Sequence, residues 1–325
     1  MSGLKIHLDR QIGRRLRLRD LAVFSAVAEH QSMAKAAADL GVAQPTISQV
    51  IADLEYTYGV QLFDRSPRGV QLTVYGQALL KRSIAVFDEI KQSGRDIEFL
   101  ADPTAGEIRI ACVESLSATI LPEILLQFAR QYPRVVLHID NLTAPATDMT
   151  NLRNRKYDLA LVRLEMPIGT DPTAEDLDMR MLFDDGIAIA AGLSSPWARR
   201  AKVDLPELID EPWILSPPGS WHHTAMSEAF RLHGLSPPTP SIVSLTVTLR
   251  MQLLAAAPYV SVFSHSVMRL NAQRFGIVAL PIVLPHKPWP VAIVTLKNRT
   301  LSPVVERFIE SAHEVAKSFM LPEVT

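Results

Sequence analysis

Apolar residues between Leu21 and Thr73 fall first on helical spacing and then on strand-like alternation. Ser32 caps an alanine-rich helix running from Met33 to about Leu40, and Gly41 stops it by supplying a left-handed residue. A tight turn through Val42 and Ala43 leads to Gln44 and Pro45, whose fixed φ and missing N–H suit the first position of a second helix. In that helix Ile47, Val50, Ile51 and Leu54 recur at i, i+3, i+4 and i+7, so one stripe packs inward against Ala36, Ala37 and Leu40. The small side chains of Ala34, Ala36, Ala37 and Ala38 let the two helices approach closely. The outer edge is polar: Gln44, Thr46, Ser48 and Gln49 lie near the helix N-terminus, where amides and hydroxyls reach bases and phosphates of a DNA major groove. Gly59 ends this helix, and Leu62-Phe63 leads into Arg65-Ser66-Pro67-Arg68-Gly69, a hairpin turn flanked by Val70 and Leu72. Arg65 and Arg68 at its tip suit phosphate or minor-groove contact. The layout is that of a winged helix-turn-helix.

From Val74 to about Leu100 there is no proline, and Thr73 is placed to cap a long helix. Leu80, Phe87, Ile90 and Ile97 fall at a and d spacing, with Ile84 and Leu100 beside the seam and Gly94 interrupting it. A second copy of the chain is the expected cover for this edge; a helix lying on its own C-terminal domain is the alternative. Asp102-Pro103-Thr104-Ala105-Gly106 reads as a hinge. Beyond it strands (Ile108 to Val113, Val135 to Ile139, Leu159 to Val162) alternate with helices ending near Tyr132 and Asn151. The pattern repeats through Ile187 to Ala191, Ala225 to His233, Leu249 to Ala256 and Val260 to Phe263, and closes with Val291 to Leu296 and a helix from Pro303 to Phe319. Alternation of this kind implies a parallel sheet covered by helices, and two lobes joined by crossover strands would bracket a cleft.

At 325 residues the chain is long for one core. With 48% hydrophobic and 21% charged residues, disordered and fibrous classes are excluded. Met1 to Asp20 carries Arg10, Arg14, Arg15, Arg17 and Arg19 rather than a signal-peptide core, and no apolar run is long enough to span a bilayer. Cys112 is the single cysteine, which rules out an internal disulfide and fits a reducing cytoplasm. The net charge of −1 argues against nucleic acid until its distribution is considered: residues 1–76 hold nine Lys/Arg against seven Asp/Glu, gathered in the N-terminal arm and the hairpin.

Candidate chemistry lies in the loops after the first strands of the α/β region. Ser115 and Ser117 follow one strand and precede a helix, so their hydroxyls and the free N–H groups can hold an anion. Thr143 follows the second strand and Arg163 the third, where Arg163 has Glu165 or Asp158 as alternative partners. Hydroxyls around one guanidinium suit a small organic acid or a sugar derivative. His222-His223 lacks the spacing and third ligand of a zinc site, so no metal is expected. Ser32-Met-Ala-Lys35 matches a nucleophile pattern but falls inside the helix-turn-helix, and Cys112 in a buried strand reads as a packed hydrophobe. No Gly-rich phosphate loop appears, and no cofactor is expected.

The stretches Leu21-Ala-Val-Phe-Ser-Ala-Val-Ala-Glu29, Ser32-Met-Ala-Lys-Ala-Ala37, Leu40-Gly-Val-Ala-Gln-Pro-Thr-Ile-Ser48, Leu54-Glu55 and Gly59-Val-Gln-Leu-Phe-Asp-Arg65, with Leu72-Thr73 and Gly76, resemble the LysR-type transcriptional regulators without a gap from about Arg17 to Leu80. Ala43 stands where that family often has a capping hydroxyl and Gln49 where it often has arginine, so the target sequence is not transferable. The resemblance implies an all-α winged helix-turn-helix domain (17–73) after a basic arm (1–16), a dimerising linker helix (74–101), a hinge (102–106) and an α/β two-lobed C-terminal domain like the type 2 periplasmic binding proteins. Lobe I is expected at about 107–163 and 270–325, and lobe II at about 164–269. It further implies that Ser216, Ser220, Thr246, Val247 and His265 line an effector cleft with Ser115, Ser117, Thr143 and Arg163, although Pro258 to His265 departs from the family's usual glycine-containing strand. Ser32, Lys35, Gln44, Pro45, Thr46, Ser48, Gln49, Arg65 and Arg68 form the expected DNA-contact set, and Leu80, Ile84, Phe87, Ile90 and Ile97 the dimer seam. The expected protein is a cytoplasmic, non-enzymatic regulator that binds promoter DNA as a homodimer or homotetramer, with RNA polymerase as a further partner. The alternatives are a cytoplasmic solute-binding protein and an α/β-cleft enzyme, the latter lacking a coherent nucleophile, base and orienter.

Overall fold

A computed structural model describes residues 16–66, 69–142, 148–164, 174–284 and 288–320. The chain divides into two compact units, Met1–Lys91 and Gln92–Thr325.

In the first unit, helices α1 (Leu18–His30), α2 (Met33–Asp39) and α3 (Gln44–Tyr58) precede a hairpin of β1 (Phe63–Ser66) and β2 (Gly69–Leu72). Helix α4 (Val74–Ala101) follows, its Thr73 cap accepting from Gly76 N at 3.1 Å. Val23, Phe24 and Val27 of α1, Ala36 and Ala37 of α2, Ile47, Ile51 and Leu54 of α3, and Leu62, Phe63 and Val70 of the hairpin make one core. Two expectations change here. Leu40 is exposed, as are Ala34 and Ala38, because α2 has only two turns and turns Ala36 and Ala37, with the half-buried Met33, toward the core. Pro45 is the second helical residue, since α3 opens at Gln44 with Ala43 as its cap.

The second unit holds two five-stranded sheets. The first has the order β4-β3-β5-β12-β6, built from β3 (Ala105–Cys112), β4 (Arg134–Asn141), β5 (Leu159–Arg163), β6 (Leu177–Asp185) and β12 (Trp289–Leu296). After the one-turn α5 (Glu114–Ser117), helices α6 (Ile120–Gln131) and α11 (Pro303–Met320) cover one face, with the Phe128 and Phe308 rings 5.3 Å apart, while the short α7 (Thr150–Arg153) lies beside the other core. Both helices bury one stripe: Ile120, Leu121, Ile124 and Phe128 in the first, and Val304, Val305, Phe308, Ile309 and Ala312 in the second. The second sheet has the order β11-β7-β10-β8-β9, from β7 (Ile187–Gly192), β8 (Trp213–Leu215), β9 (Pro240–Val243), β10 (Val260–Ser264) and β11 (Ile277–Ala279). Packed on it are α8 (Trp221–Leu232), α9 (Val247–Ala256) and α10 (His265–Phe275).

Neither sheet is purely parallel. Strand β12 runs antiparallel to β5 and β6, and β7 runs antiparallel to β10 and β11, because these strands return from the other lobe instead of through a same-sheet crossover. The lobe boundaries also move. Strand β6 belongs to the first sheet and β11 to the second, so the second lobe begins after Asp185 and runs past residue 269 through Ala279. Strand β3 begins at Ala105, inside the segment expected as hinge.

Candidate functional site

The polar edge expected from the sequence to read DNA lies on α3. Burial of Ile47, Ile51 and Leu54 fixes the rotation of the helix and leaves Gln44, Pro45, Thr46 and Gln49 exposed, with Ser48 half-buried. Ala43 contributes no side-chain cap; Pro45 has no N–H to satisfy, and Thr46 N donates to the Ala43 carbonyl at 3.0 Å. Gln49 Nε2 donates to Asp53 Oδ1 at 2.8 Å, an i, i+4 pair that holds the amide on the exposed face. On α2, Ser32 accepts from Lys35 N at 3.3 Å, and the Lys35 side chain points outward from an exposed position. Glu55 is the residue that sequence reasoning missed: its Oε1 accepts from Leu62 N at 2.8 Å and Phe63 N at 3.3 Å, fastening the hairpin to α3. Arg65 is exposed and 3.7 Å from the other Glu55 oxygen. Gly69 is required at its place, because φ is +123° and an added Cβ would lie 2.8 Å from the Gln31 carbonyl oxygen. Arg68 lies outside the described residues.

On α4, Ile90 and Ile97 are exposed together with Val86 and Leu100, and Ile84 and Phe87 are half-buried. Leu80 departs from this set by packing against the helix-turn-helix core.

The second site lies between the two sheets of the Gln92–Thr325 unit. Arg163, at the end of β5, donates to Ser115 Oγ, to Asp185 Oδ2 and, at 3.0 Å, to Ser264 Oγ. Ser266 closes this cluster, its N donating to Asp185 Oδ1 at 3.0 Å and its hydroxyl to Oδ2. Arg163 thus pairs with Asp185, while Asp158 is taken by Arg95 and Arg299 and Glu165 lies outside the described residues. Across the lobes, Glu114 Oε1 accepts from Val247 N at 2.9 Å, and Asn271 Nδ2 donates to Ala118 O at 3.1 Å.

Arg250, one turn into α9, is buried and donates to Ser216 Oγ at 3.2 Å and Val262 O at 3.0 Å over the Phe263 ring. Burial pushes its guanidinium down to about 10, opposed by the charge of Glu114. Burial likewise pushes the Glu114 carboxyl up, partly offset by the Val247 N–H and Arg250. His222 is held well below the usual imidazole range by burial first and then by Arg250 and Arg163, so it is neutral here. The Trp221 ring lies 4.9 Å from the Arg163 guanidinium carbon.

Of the cleft residues singled out in the sequence, Ser115, Arg163, Ser216 and Val247 come together in this network. Ser220 caps α8, accepting from His223 N at 3.4 Å, and Ser117 bonds back to Val113 O and to Asn141. Thr246 is exposed at the start of α9. His265 is exposed and does not enter the cluster; its flanking serines do, because a residue on a strand-to-helix corner alternates side with its neighbours. Thr143 lies outside the described residues. Glu114, Asp185, His222 and Arg250 were missed as site residues, since their roles depend on partners far away in the chain. Cys112 is fully buried, and burial pushes its thiol up to about 12, leaving it unreactive. Among the described residues no group of acidic, His or Cys side chains is placed to hold a metal, and no helix is long and apolar enough to cross a membrane.

Comparison with known proteins matches these two sites to two domains. The bacterial regulatory helix-turn-helix protein, lysR family, matches residues 18–77, and the LysR substrate binding domain matches 101–317. The transcriptional dual regulator GltC of Bacillus subtilis is 29% identical over 299 residues, covering 91% of this chain and 96% of its own. The HTH-type transcriptional regulator GbpR of Azospirillum brasilense is 26% identical over 290 residues, covering 89% of this chain and 83% of its own. Full-length BenM superposes with a TM-score of 0.53 at 26% identity, covering 95% of this chain and all of its own. CbnR solved with its target DNA has a TM-score of 0.52 at 24% identity, covering 93% of this chain and all of its own, and shows the fold. The chain belongs to the LysR family: it is a DNA-binding transcriptional regulator with an effector-binding domain.

Proposed function

We propose that the regulator reads promoter DNA with Gln44, Pro45, Thr46, Ser48 and Gln49, assisted by Ser32 and Lys35 at the start of α2, by Arg65 on β1 and by Arg68. The observation that carries this reading is the exposure of Gln44, Thr46 and Gln49 while Ile47, Ile51 and Leu54 of the same helix are buried. The chain works as a homodimer or homotetramer in the cytoplasm, using the apolar edge of α4 at Ile84, Phe87, Ile90 and Ile97, and meets RNA polymerase at the promoter without acting as an enzyme. Two-fold symmetry then requires an inverted-repeat site with half-sites spaced by helical turns.

A small organic acid or sugar-type effector occupies the cleft around Ser115, Arg163 and Ser216. Contacts across the cleft, from Arg163 to Ser264 and from Glu114 to Val247, make the arrangement of the lobes the element the ligand biases. A ligand changes the output only by preferring one arrangement, since equal affinity for both shifts nothing. The test is a mobility-shift titration with the chain's own upstream DNA, repeated with organic acids and sugars. A discrete complex that resists random competitor and changes midpoint with one compound is the expected result. Equal binding to all sequences overturns the reading edge, and a midpoint that no small molecule moves overturns the effector site.

A further inference from the structure

We propose that the cleft recognises a zwitterionic α-amino acid, its carboxylate held by Arg163, Arg250 and His222 and its ammonium by Glu114. The inference rests on the effector-site reading above and narrows its ligand class. Its starting point is a ring of contacts that closes on itself. Arg163 donates to Ser115, the neighbour of Glu114. Glu114 Oε1 takes the N–H of Val247 at 2.9 Å, and one turn further along α9 Arg250 donates to Ser216 at 3.2 Å. Ser216 leads into α8, whose first residues are Trp221 and His222, with ring centres 4.5 Å apart. The Trp221 ring then returns to Arg163 at 4.9 Å.

Four polar atoms of this ring are buried without a hydrogen-bond partner: Arg163 Nε, Arg250 Nε, His222 Nε2 and Glu114 Oε2. Three of their parent residues, Arg163, Arg250 and His222, are more than nine-tenths buried. Native proteins rarely leave such atoms unmet, and four in one ring point to a ligand that meets them together. The donor inventory restricts its chemistry. A guanidinium Nε–H only donates, and the imidazole can donate from Nε2, so this side asks for an acceptor with two oxygens. An ionised Glu114 Oε2 only accepts, so the other side asks for a donor.

Charge separates the candidates. Arg163 is matched by Asp185, and the opposite charge acting on Arg250 is Glu114, while His222 is neutral. The ring therefore sums to zero with Glu114 ionised. A plain carboxylate would bring an unmatched negative charge among these buried groups, and a sugar offers no charge to Arg250. A carboxylate and an ammonium borne on one carbon supply both signs and preserve the sum.

The test measures binding to the full chain by calorimetry and by thermal shift. The probes are the common α-amino acids, the α-hydroxy acids lactate, malate and phenyllactate, and the amines ethylamine and phenethylamine. One or more amino acids should raise Tm, with the matched hydroxy acid and amine binding on the order of tenfold or more weakly, the loss expected for one charge-assisted contact. Glu114→Gln should erase the preference for ammonium over hydroxyl, its folding being checked by unliganded melting. The matched pairs on the unaltered chain remain decisive if that variant does not fold. A hydroxy acid that binds as tightly as its amino acid, or an ammonium preference that survives Glu114→Gln, overturns the assignment. So does the absence of any amino-acid binding; if an organic acid or sugar still moves the DNA-binding midpoint, the effector reading survives that failure.

Discussion

Gln44, Thr46 and Gln49 on α3 are exposed polar side chains, whereas Arg163, Asp185, Ser264 and Ser266 in the cleft are buried and bonded to one another. The contrast separates two ways of holding a functional group. An exposed edge is oriented by the apolar stripe behind it, so its residues can change without cost to the core, and its identity is set by what it reads. A buried cluster is at once packing and recognition: each member satisfies another, and removing one leaves a charge or a hydrogen bond uncompensated. Stability and binding should therefore separate cleanly in the first unit and remain coupled in the second.

The largest expected effect tests that contrast with two aspartates. Asp158 is 2% exposed, with Oδ1 accepting from Arg95 at 3.0 Å and Arg299 at 2.8 Å and Oδ2 from Arg109 N at 2.8 Å. Asp158→Ala removes the carboxylate facing the buried Arg299 guanidinium and should lower stability by about 3–5 kcal/mol. Asp53→Ala, on the exposed face of α3, should stay within about 0.5 kcal/mol. Urea unfolding of the α/β unit is followed through the fluorescence of Trp197, Trp213, Trp221 and Trp289, and that of the first unit, which has no tryptophan, as the part of the helical circular dichroism change that does not track the fluorescence. Equal losses in both variants break the comparison.

The same contrast governs what could be read from the sequence. The first unit was legible because its signals are local: Ser32, Gly41 and Pro45 punctuate two short helices, and Ile47, Ile51 and Leu54 repeat within one of them. The alternation of the second unit gave its class but not its direction, since parallel and antiparallel pairing of β12 or β7 depend on where the chain returns. Strand β6 escaped notice because Leu-Asp-Met-Arg-Met-Leu-Phe-Asp-Asp has no β-branched residue, and α10 because it follows β10 with no glycine or proline between. In the cleft, Arg163 meets Asp185 22 positions away and Ser264 101 away, and Glu114 meets Val247 133 away. No spacing rule reaches that far. Loop position after a strand found Ser115 and Arg163, while a lone cation within a largely apolar helix, as Arg250 is in α9, was the signal available and unused.

A smaller effect sharpens the claim for the reading edge. Gln44→Ala and Thr46→Ala should each reduce discrimination between the specific site and a mismatched one by about 1–3 kcal/mol if the contact is a good bidentate or paired one. Unfolding midpoints should not move, because both side chains are exposed and neither supports the core. Competition mobility shifts at constant salt measure the first quantity. Specific and mismatched sites weakened together would instead give these residues a backbone role.

Ser32 lies between the two regimes, half-buried and capping α2 while belonging to the proposed contact set. Ser32→Ala should cost about 1 kcal/mol through the lost cap, read as a lower unfolding midpoint of the first unit. Ser32→Asp keeps the cap and adds a negative charge beside any phosphate. If it restores stability while weakening DNA binding, Ser32 serves both; if it restores both, Ser32 is a cap alone.

Arg65 gives the smallest effect and the finest division between fold and function. It stands 3.7 Å from Glu55 with its side chain 55% exposed, and an ion pair that long and that wet adds little to stability. Arg65→Ala should therefore leave the unfolding midpoint within about 0.5 kcal/mol of the parent. If the guanidinium meets a phosphate instead, the slope of log K against log salt should fall by roughly 0.9, one counterion's worth, with all sequences weakened alike. Glu55→Gln distinguishes the two roles, because the amide oxygen still accepts from Leu62 and Phe63 while the charge facing Arg65 is gone. A slope that changes with Arg65→Ala and not with Glu55→Gln assigns the arginine to DNA; a slope unchanged by Arg65→Ala assigns it to the hairpin.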